Sequence, residues 1–477
     1  MAYFDTRDHR HWANFLKLFT EPSFDGFLNW FSDWAISPVL ILFPLYVGLL
    51  SVLVQMVPNF PMFAFGWIVG LAPIWLPIVL AAGLWNSHFS RIHAKFVGTR
   101  NPILLELKLP PDVTLSPRAM ELAFNQLYST GGETTFVDRF FTGKVRLWYS
   151  FELVSLGGEV HFYVWTWKMN KSNIENAFYT FFPTIEVVEV DDYALRFTYD
   201  SNKDICFATD WKLAPARALK GHSGGENAFP LRSYIDFELD KDPKEEFKVD
   251  PLSIIFEYLS SVKPNEQLWI QFLVRGHGNE FVKTGPLKYE AKWDFINKEA
   301  VADIRTDALR RPGVTYADPL KPLPEEMLNM PNPTWRQVEM IRTIERHYMK
   351  RPFDFMARGI YISNAKDFHA PTLSGLRLLW VPFRNQWMSD LAPTRWLNSF
   401  DYPWEDYKKI RTNLFIRRFL DAYRRRSAFY PPWRTPHNIV TAETLATLYH
   451  FPSRGVGAPG LRRMPSTKAE PPSNLPR

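Results

Sequence analysis

Two stretches near the start of the chain depart from the mixed polar and apolar patterning of the rest. Residues 38–57 read PVLILFPLYVGLLSVLVQMV and residues 62–85 read MFAFGWIVGLAPIWLPIVLAAGLW, and neither carries a charge. A helix needs about 20 apolar residues to cross a bilayer. The pattern therefore predicts two transmembrane helices, 38–57 and 62–85, joined by the short turn PNFP at 58–61. Pro44, Pro73 and Pro77 are expected to kink them, which membrane helices tolerate. Two adjacent buried core helices are the competing reading. Arg7, Arg10 and Lys17 precede the first run, Arg91, Lys95 and Arg100 follow the second, and the turn has no Lys or Arg. The positive-inside rule then places both termini and the large C-terminal part in the cytoplasm. Within the N-terminal segment 1–37, FDGFLNWFSDWAI at 24–36 spaces Phe24, Phe27, Leu28, Phe31 and Trp34 as on one helix face. It reads either as an interfacial helix or as a helix packed on the body of the protein.

After Asn101 the period changes. ILLELKL (103–109) is strand-like, and SPRAMELAFNQLYS (116–129) opens with Ser and Pro, a helix start. WYSFELVSL (148–156) and EVHFYVWTW (159–167) flank Gly157-Gly158, a hairpin signature. SNIENAFYTFF (172–182) is a helix capped by Ser172, and TIEVVEV (184–190) a last strand. The order β-α-β-β-α-β predicts a ferredoxin-like module over 101–192. FPLRSYIDFEL (229–239), DPLSIIFEYLSSV (251–262), EQLWIQFLVRG (266–276) and FDFMARGIYIS (353–363) predict a second such module over 193–363, carrying a helical insertion. The expected fold class is thus α+β, a two-helix transmembrane hairpin followed by tandem ferredoxin-like modules. A basic helical region, 364–452, and a Pro-rich tail, 453–477, complete the chain.

Composition changes this picture little. The 477 residues are 46% hydrophobic and 16% aromatic, ample for buried cores, and the net charge of +6 mildly favours anionic partners. Cys206 is the single cysteine, so no intrachain disulfide forms.

The sharpest charge feature is DYKKIRTNLFIRRFLDAYRRR, 406–426. Lys408, Lys409, Arg411, Arg417, Arg418, Arg424, Arg425 and Arg426 are candidate contacts for nucleic acid or a partner. On a helix, Arg411, Arg418 and Arg425 form one stripe, and Phe415, Phe419 and Tyr423 with Ile416 and Leu420 form an apolar face. A packed helix with a solvated, salt-bridged edge explains the same pattern.

Catalytic signals are weak. STGGETTFVDRFFTGK at 129–144 has glycines and a Gly-Lys, but not the spacing of a phosphate-binding loop, and reads as a mobile or partner-facing loop. GHSGGE (221–226) and GHGNE (276–280) are glycine-rich turns with one histidine each, and His9 and His11 lack metal-ligand companions. No catalytic, metal or cofactor residues are assigned.

The runs from Ser129 to Tyr193, FDYPWEDYKKIRTNLFIRRFLDAYRRRSAFYPPW, and TAETLATLYHFPSRGV with the tail resemble the N-terminal, non-motor region of conjugation-type DNA-transfer ATPases of ultrasmall bacteria, the coupling proteins of type IV secretion. The resemblance covers roughly residues 100–477. In those ATPases a segment similar to PPSNLP, 471–476, leads into the P-loop motor, whereas this sequence ends at Arg477 and has no Walker A motif. The resemblance implies a bacterial inner-membrane, non-enzymatic accessory subunit that anchors or docks a hexameric P-loop translocation ATPase. Its partners would be that motor, the lipid bilayer, a second copy of itself, and DNA. A membrane-tethered nucleic-acid-binding protein is the alternative, and an enzyme acting at the membrane face a third.

Overall fold

The computed structural model describes residues 38–56, 59–110, 116–133, 135–216, 219, 226–241, 250–278, 280–284, 288–309, 333–396, 406–430, 432–452, 460–461 and 463. The predicted helix at 24–36, His9, His11, His222, residues 310–332 and nearly all of the tail lie outside them. The chain divides into two units, 1–89 with 399–411 and 90–398 with 412–477.

The first unit holds α1 (Pro38–Met56), α2 (Phe60–Gly70) and the start of α3 (Ala72–Gly98). Among the described residues no helix is both long and apolar enough to cross a membrane. The expected second span is divided. Pro73 cannot donate to the Val69 carbonyl, and its ring crowds that carbonyl. The chain therefore ends α2 at Gly70 and restarts at Ala72, with the Trp75 indole donating to the Ile68 carbonyl at 2.9 Å across the break. Beyond it α3 runs through His88, Arg91, His93 and Lys95, which dilutes its apolar stretch. The two-span hairpin, and the inner-membrane placement that rested on it, are corrected accordingly. Apolar side chains of this unit, Phe43, Tyr46, Trp67 and Trp85 among them, are exposed.

In the second unit the strands are β1 (Pro102–Lys108), β2 (Trp148–Leu156), β3 (Glu159–Trp167), β4 (Glu186–Val190), β5 (Asp204–Pro215), β6 (Glu266–Gly276), the short pair β7 (Phe281–Lys283) and β8 (Tyr289–Ala291), β9 (Pro352–Asn364), β10 (Ser389–Trp396) and β11 (Asn438–Thr441). Nine of them form one antiparallel sheet in the order β10-β5-β9-β6-β2-β3-β1-β4, with β11 also paired to β9. This corrects the expectation of tandem ferredoxin-like modules. Separate modules would leave the edges of β2 and β6 open. Here the two strands pair from Trp148↔Arg275 to Leu156↔Gln267 and close a single sheet. The halves on either side of that seam run in the same order, β4-β1-β3-β2 and β10-β5-β9-β6, each with its fourth, first, third and second strand in turn. The expected strand at 229–239 is a series of turns, and β5 supplies that position instead.

Both faces of the sheet are covered. One carries Phe151, Leu153, Phe162, Ile270, Phe272 and Phe355, packed beneath α4 (Pro117–Gln126), α5 (Lys171–Phe181), α7 (Leu252–Ser260), α10 (Ala370–Leu378) and α12 (Ala442–Leu448). The other carries Trp148, Val154, Trp165, Trp269, Leu273 and Ile360, packed beneath the single turn α6 (Tyr193–Arg196) and α11 (Ile410–Arg424). Helices α8 (Lys292–Leu309) and α9 (Trp335–Tyr348) pair with each other over a smaller core of Ala300, Ile304 and Ile344. Thr334 closes a capping box with Gln337 at the start of α9.

Gly359, in the middle of β9, has the Trp211 indole lying on its backbone, and a Cβ there would sit 2.3 Å from the ring. Gly359→Ala is therefore expected to destabilise the protein by about 1–3 kcal/mol, read as a lower urea midpoint with an unchanged denaturant slope.

Candidate functional site

The basic helix predicted as a contact surface splits into two kinds of cation. Lys408, Lys409 and Arg411 are exposed, as are Arg417 and Arg418. Of the last three arginines, Arg424 and Arg426 tie the helix end to the body of the protein and Arg425 does not. Arg424 donates from Nε to the Ala194 carbonyl at 3.0 Å and from Nη2 to the Phe197 carbonyl. Arg425 lies on the surface, hydrogen-bonded to Asp421 at 2.9 Å. Arg426 is fully buried, its guanidinium on both carboxylate oxygens of Glu152 at 3.0 and 3.1 Å and on Asp192 at 3.0 Å. On the predicted apolar face Ile416, Phe419, Leu420 and Tyr423 are buried, but Phe415 is exposed.

Arg426 stands where a helix usually ends in glycine. Its N–H bonds the Tyr423 carbonyl and the Ser427 N–H bonds the Ala422 carbonyl, a Schellman closure, and Arg426 itself takes φ 48°. A side chain in that left-handed conformation costs roughly 1 kcal/mol. The cost is met because this backbone turn aims the guanidinium into the sheet, at Glu152. The Glu152 carboxylate also accepts from Ser150 Oγ at 2.6 Å, Gln271 Nε2 at 2.9 Å and the Tyr193 hydroxyl at 2.7 Å. Burial alone would push its pKa up. The charge of Arg426 and hydrogen bonds from Arg426, Ser150 and Tyr193 outweigh burial and hold it below the usual value of 4.5.

A second polar centre lies at the ends of β6 and β9. Asp354, fully buried, accepts from Arg275 Nε at 2.6 Å and contacts His277 Nδ1 at 2.6 Å. Arg146 Nη1 and His437 Nε2 each lie 3.6 Å away. Burial disfavours the Asp354 charge, but the His277 hydrogen bond and the Arg275 charge depress its pKa overall. Arg146 also meets Glu133 at 3.6 Å, and Glu133 accepts from the Tyr430 hydroxyl at 2.6 Å. Two motifs that looked separate in the sequence, the glycine-rich loop 129–144 and the Gly276-His277 turn, thus meet here. An Asp–His pair is half of a nucleophile-activating arrangement, but His277 Nε2 is enclosed with no hydrogen-bond partner. Cys206 is buried, which raises its thiol pKa. Among the described residues no cluster of three or more His, Cys, Asp or Glu side chains could hold a metal ion.

The sequence signal for Arg426 was a helix that ends RRRS with no glycine. For Asp354 no local signal exists, because its partners lie far apart in the chain. Comparison with known protein families and with characterised proteins finds no match to this chain.

Removing the guanidinium leaves Glu152 buried and uncompensated. Arg426→Met is expected to cost about 3–5 kcal/mol, and Glu152→Gln in the same chain should recover part of it in a double-mutant cycle. Because the Glu152 pKa is depressed on folding, its contribution is present above pH 4.5 and lost as pH falls below that value. Acid-unfolding curves of Glu152→Gln should lack that component.

Proposed function

We propose that this protein is a non-catalytic accessory subunit that docks a P-loop translocation ATPase of the type IV secretion kind. The observation that carries the reading is the loop 129–144. Phe136 and Phe141 are 66% and 60% exposed, with Val137 exposed between them. The Phe136 ring lies 4.7 Å from Phe140 and 6.0 Å from Phe141, so the aromatic side chains form one raised knuckle. The knuckle is held in shape from below. Thr135 Oγ1 donates to Asp138 at 2.7 Å, Lys144 pairs with Asp138 at 2.7 Å, and the five-residue turn Asp138–Thr142 closes at Gly143 with φ 64°. A Cβ at Gly143 would lie 2.7 Å from the Ile92 backbone. Aromatic side chains fixed in advance on a surface are the anchors of protein interfaces, because little side-chain freedom is lost on binding. The exposed apolar side chains of the first unit support the same reading, since apolar surface is normally covered by a partner. The choice of partner comes from the resemblance of the same loop and of the 406–426 helix to the coupling proteins.

Crosslinking in intact cells followed by purification of this protein and mass spectrometry tests it. A P-loop ATPase joined to the 129–144 loop is the expected product. Phe136→Ala with Phe141→Ala should cut its recovery roughly tenfold to a hundredfold with no change in melting temperature. Recovery of self-crosslinks alone overturns the proposal.

Nucleic-acid binding is a second reading, favoured by the adjacent exposed guanidinium groups of Arg417 and Arg418. Within α11 these two are exposed side by side, whereas Arg424, Arg425 and Arg426 make the contacts described above. These two cations should then contribute about −1.8 to the log–log salt slope of duplex DNA affinity. Arg417→Glu with Arg418→Glu should flatten it by about 2, as read by fluorescence anisotropy. Affinity that ignores salt, or ignores this substitution, removes the reading.

A further inference from the structure

A cavity of about 330 Å³ opens between the end of α4, the start of α5 and the first residues of β2. Leu127 and Leu147 give it an apolar wall, Tyr128 and Tyr149 an aromatic one, and Asn170, Asn173 and Asn176 with Gln126 and Ser129 a polar one. No lining side chain is charged.

The asparagines are the informative feature. Asn in a helix interior is less favourable than Ala. It normally compensates by capping or by bonding the local backbone. Here Asn170, at the start of α5, makes no capping bond, and its Oδ1 accepts only a long 3.5 Å contact from Asn173. The Asn176 carboxamide bonds no described residue. Three residues apart, these groups line one face of α5 and present donors and acceptors to the cavity. Opposite them Tyr149 is 5% exposed, lines the same cavity, and gives its hydroxyl to no described residue. Burial raises its pKa, so the phenol stays a donor.

Carboxamides and a phenol suit hydroxyl groups, each of which both donates and accepts. The lack of charge disfavours phosphates and carboxylates. The volume, at the low end of the roughly 300–1,000 Å³ usual for ligand cavities, suits a single ring. We propose that this cavity binds one neutral sugar ring, its hydroxyls on Asn173, Asn176 and Tyr149 and its apolar face on Tyr128.

The 477-residue chain is titrated with methyl glycosides of glucose, galactose and mannose and with N-acetylglucosamine, by saturation-transfer NMR and calorimetry. Uridine and adenosine serve as contrasts. Saturable binding of at least one sugar is expected. Asn173→Ala with Asn176→Ala should weaken it about tenfold, two neutral hydrogen bonds' worth, while leaving the melting temperature equal or higher because helix propensity improves. Tyr149→Phe should weaken it severalfold. Failure of every sugar to bind, tighter binding of the nucleosides than of any sugar, or an affinity unmoved by both variants overturns the proposal.

Discussion

The structure depends on one buried ion pair. Arg426 and Glu152 are both inaccessible to solvent and sit between the central sheet and α11. Taking two such charges out of water costs several kcal/mol each, so the arrangement persists only because every oxygen of Glu152 is hydrogen-bonded and Asp192 shares the guanidinium charge. An apolar pair of the same volume would not specify how α11 lies. The guanidinium does, because it must meet Glu152, Asp192 and the Arg424 carbonyl together. The left-handed backbone at Arg426 follows from that demand, and so does the loss of Arg426 from the set of basic residues that the sequence offered as a binding surface.

The same pair begins a row of polar side chains across the sheet. Glu152 lies opposite Gln271, Gln271 opposite Arg358, and Arg358 opposite Asp210. Four residues further along the same two strands, Arg275 lies opposite Asp354. All these residues are buried. Strands covered on both faces have no solvent side to penalise slippage, so their hydrophobic residues define register poorly. The polar row defines it well. A one-residue slip of β6 would turn Gln271 and Arg275 into the layer of Phe151 and Phe355, and turn Phe272 out of it. The row crosses the β2–β6 seam, which is why two halves with equal strand order form one continuous sheet.

This explains what the sequence did and did not reveal. The first half was legible strand by strand, because its elements are short, punctuated by Pro117 and the Gly157-Gly158 turn, and connected locally. The pairing of β2 with β6 was not, since a β-α-β-β-α-β order says nothing about the edge strand's next neighbour. The second half was misread at its start. Residues 229–239 have a strand's composition but form turns, and Asp204–Pro215 was passed over because its polar Asp210 interrupts the apolar pattern. That aspartate faces Arg358 inside the protein. The apolar runs at 38–57 and 62–85 were read as spans from composition, whereas the position of Pro73 decides where the second run divides into α2 and α3. At the candidate sites, local spacing exposed the basic helix and the Gly276-His277 turn, but a charge's partner is a property of the fold.

The Asp354 centre connects this interior to the surface. Arg146 reaches Asp354 with one nitrogen and Glu133 with another. Glu133 in turn takes a hydrogen bond from Arg139, inside the exposed aromatic knuckle, at 3.3 Å. The knuckle is thus the outer end of a chain of charges whose inner end is a fully buried carboxylate. A loop rich in glycine, threonine and exposed phenylalanine would otherwise sample many shapes and lose that freedom on binding. Tied through Glu133, it has already lost much of it. The polarity buried near the start of β9 is thus joined by successive contacts to an aromatic surface loop. Weakening Asp354 or Arg146 should loosen the knuckle without altering a single residue of its surface.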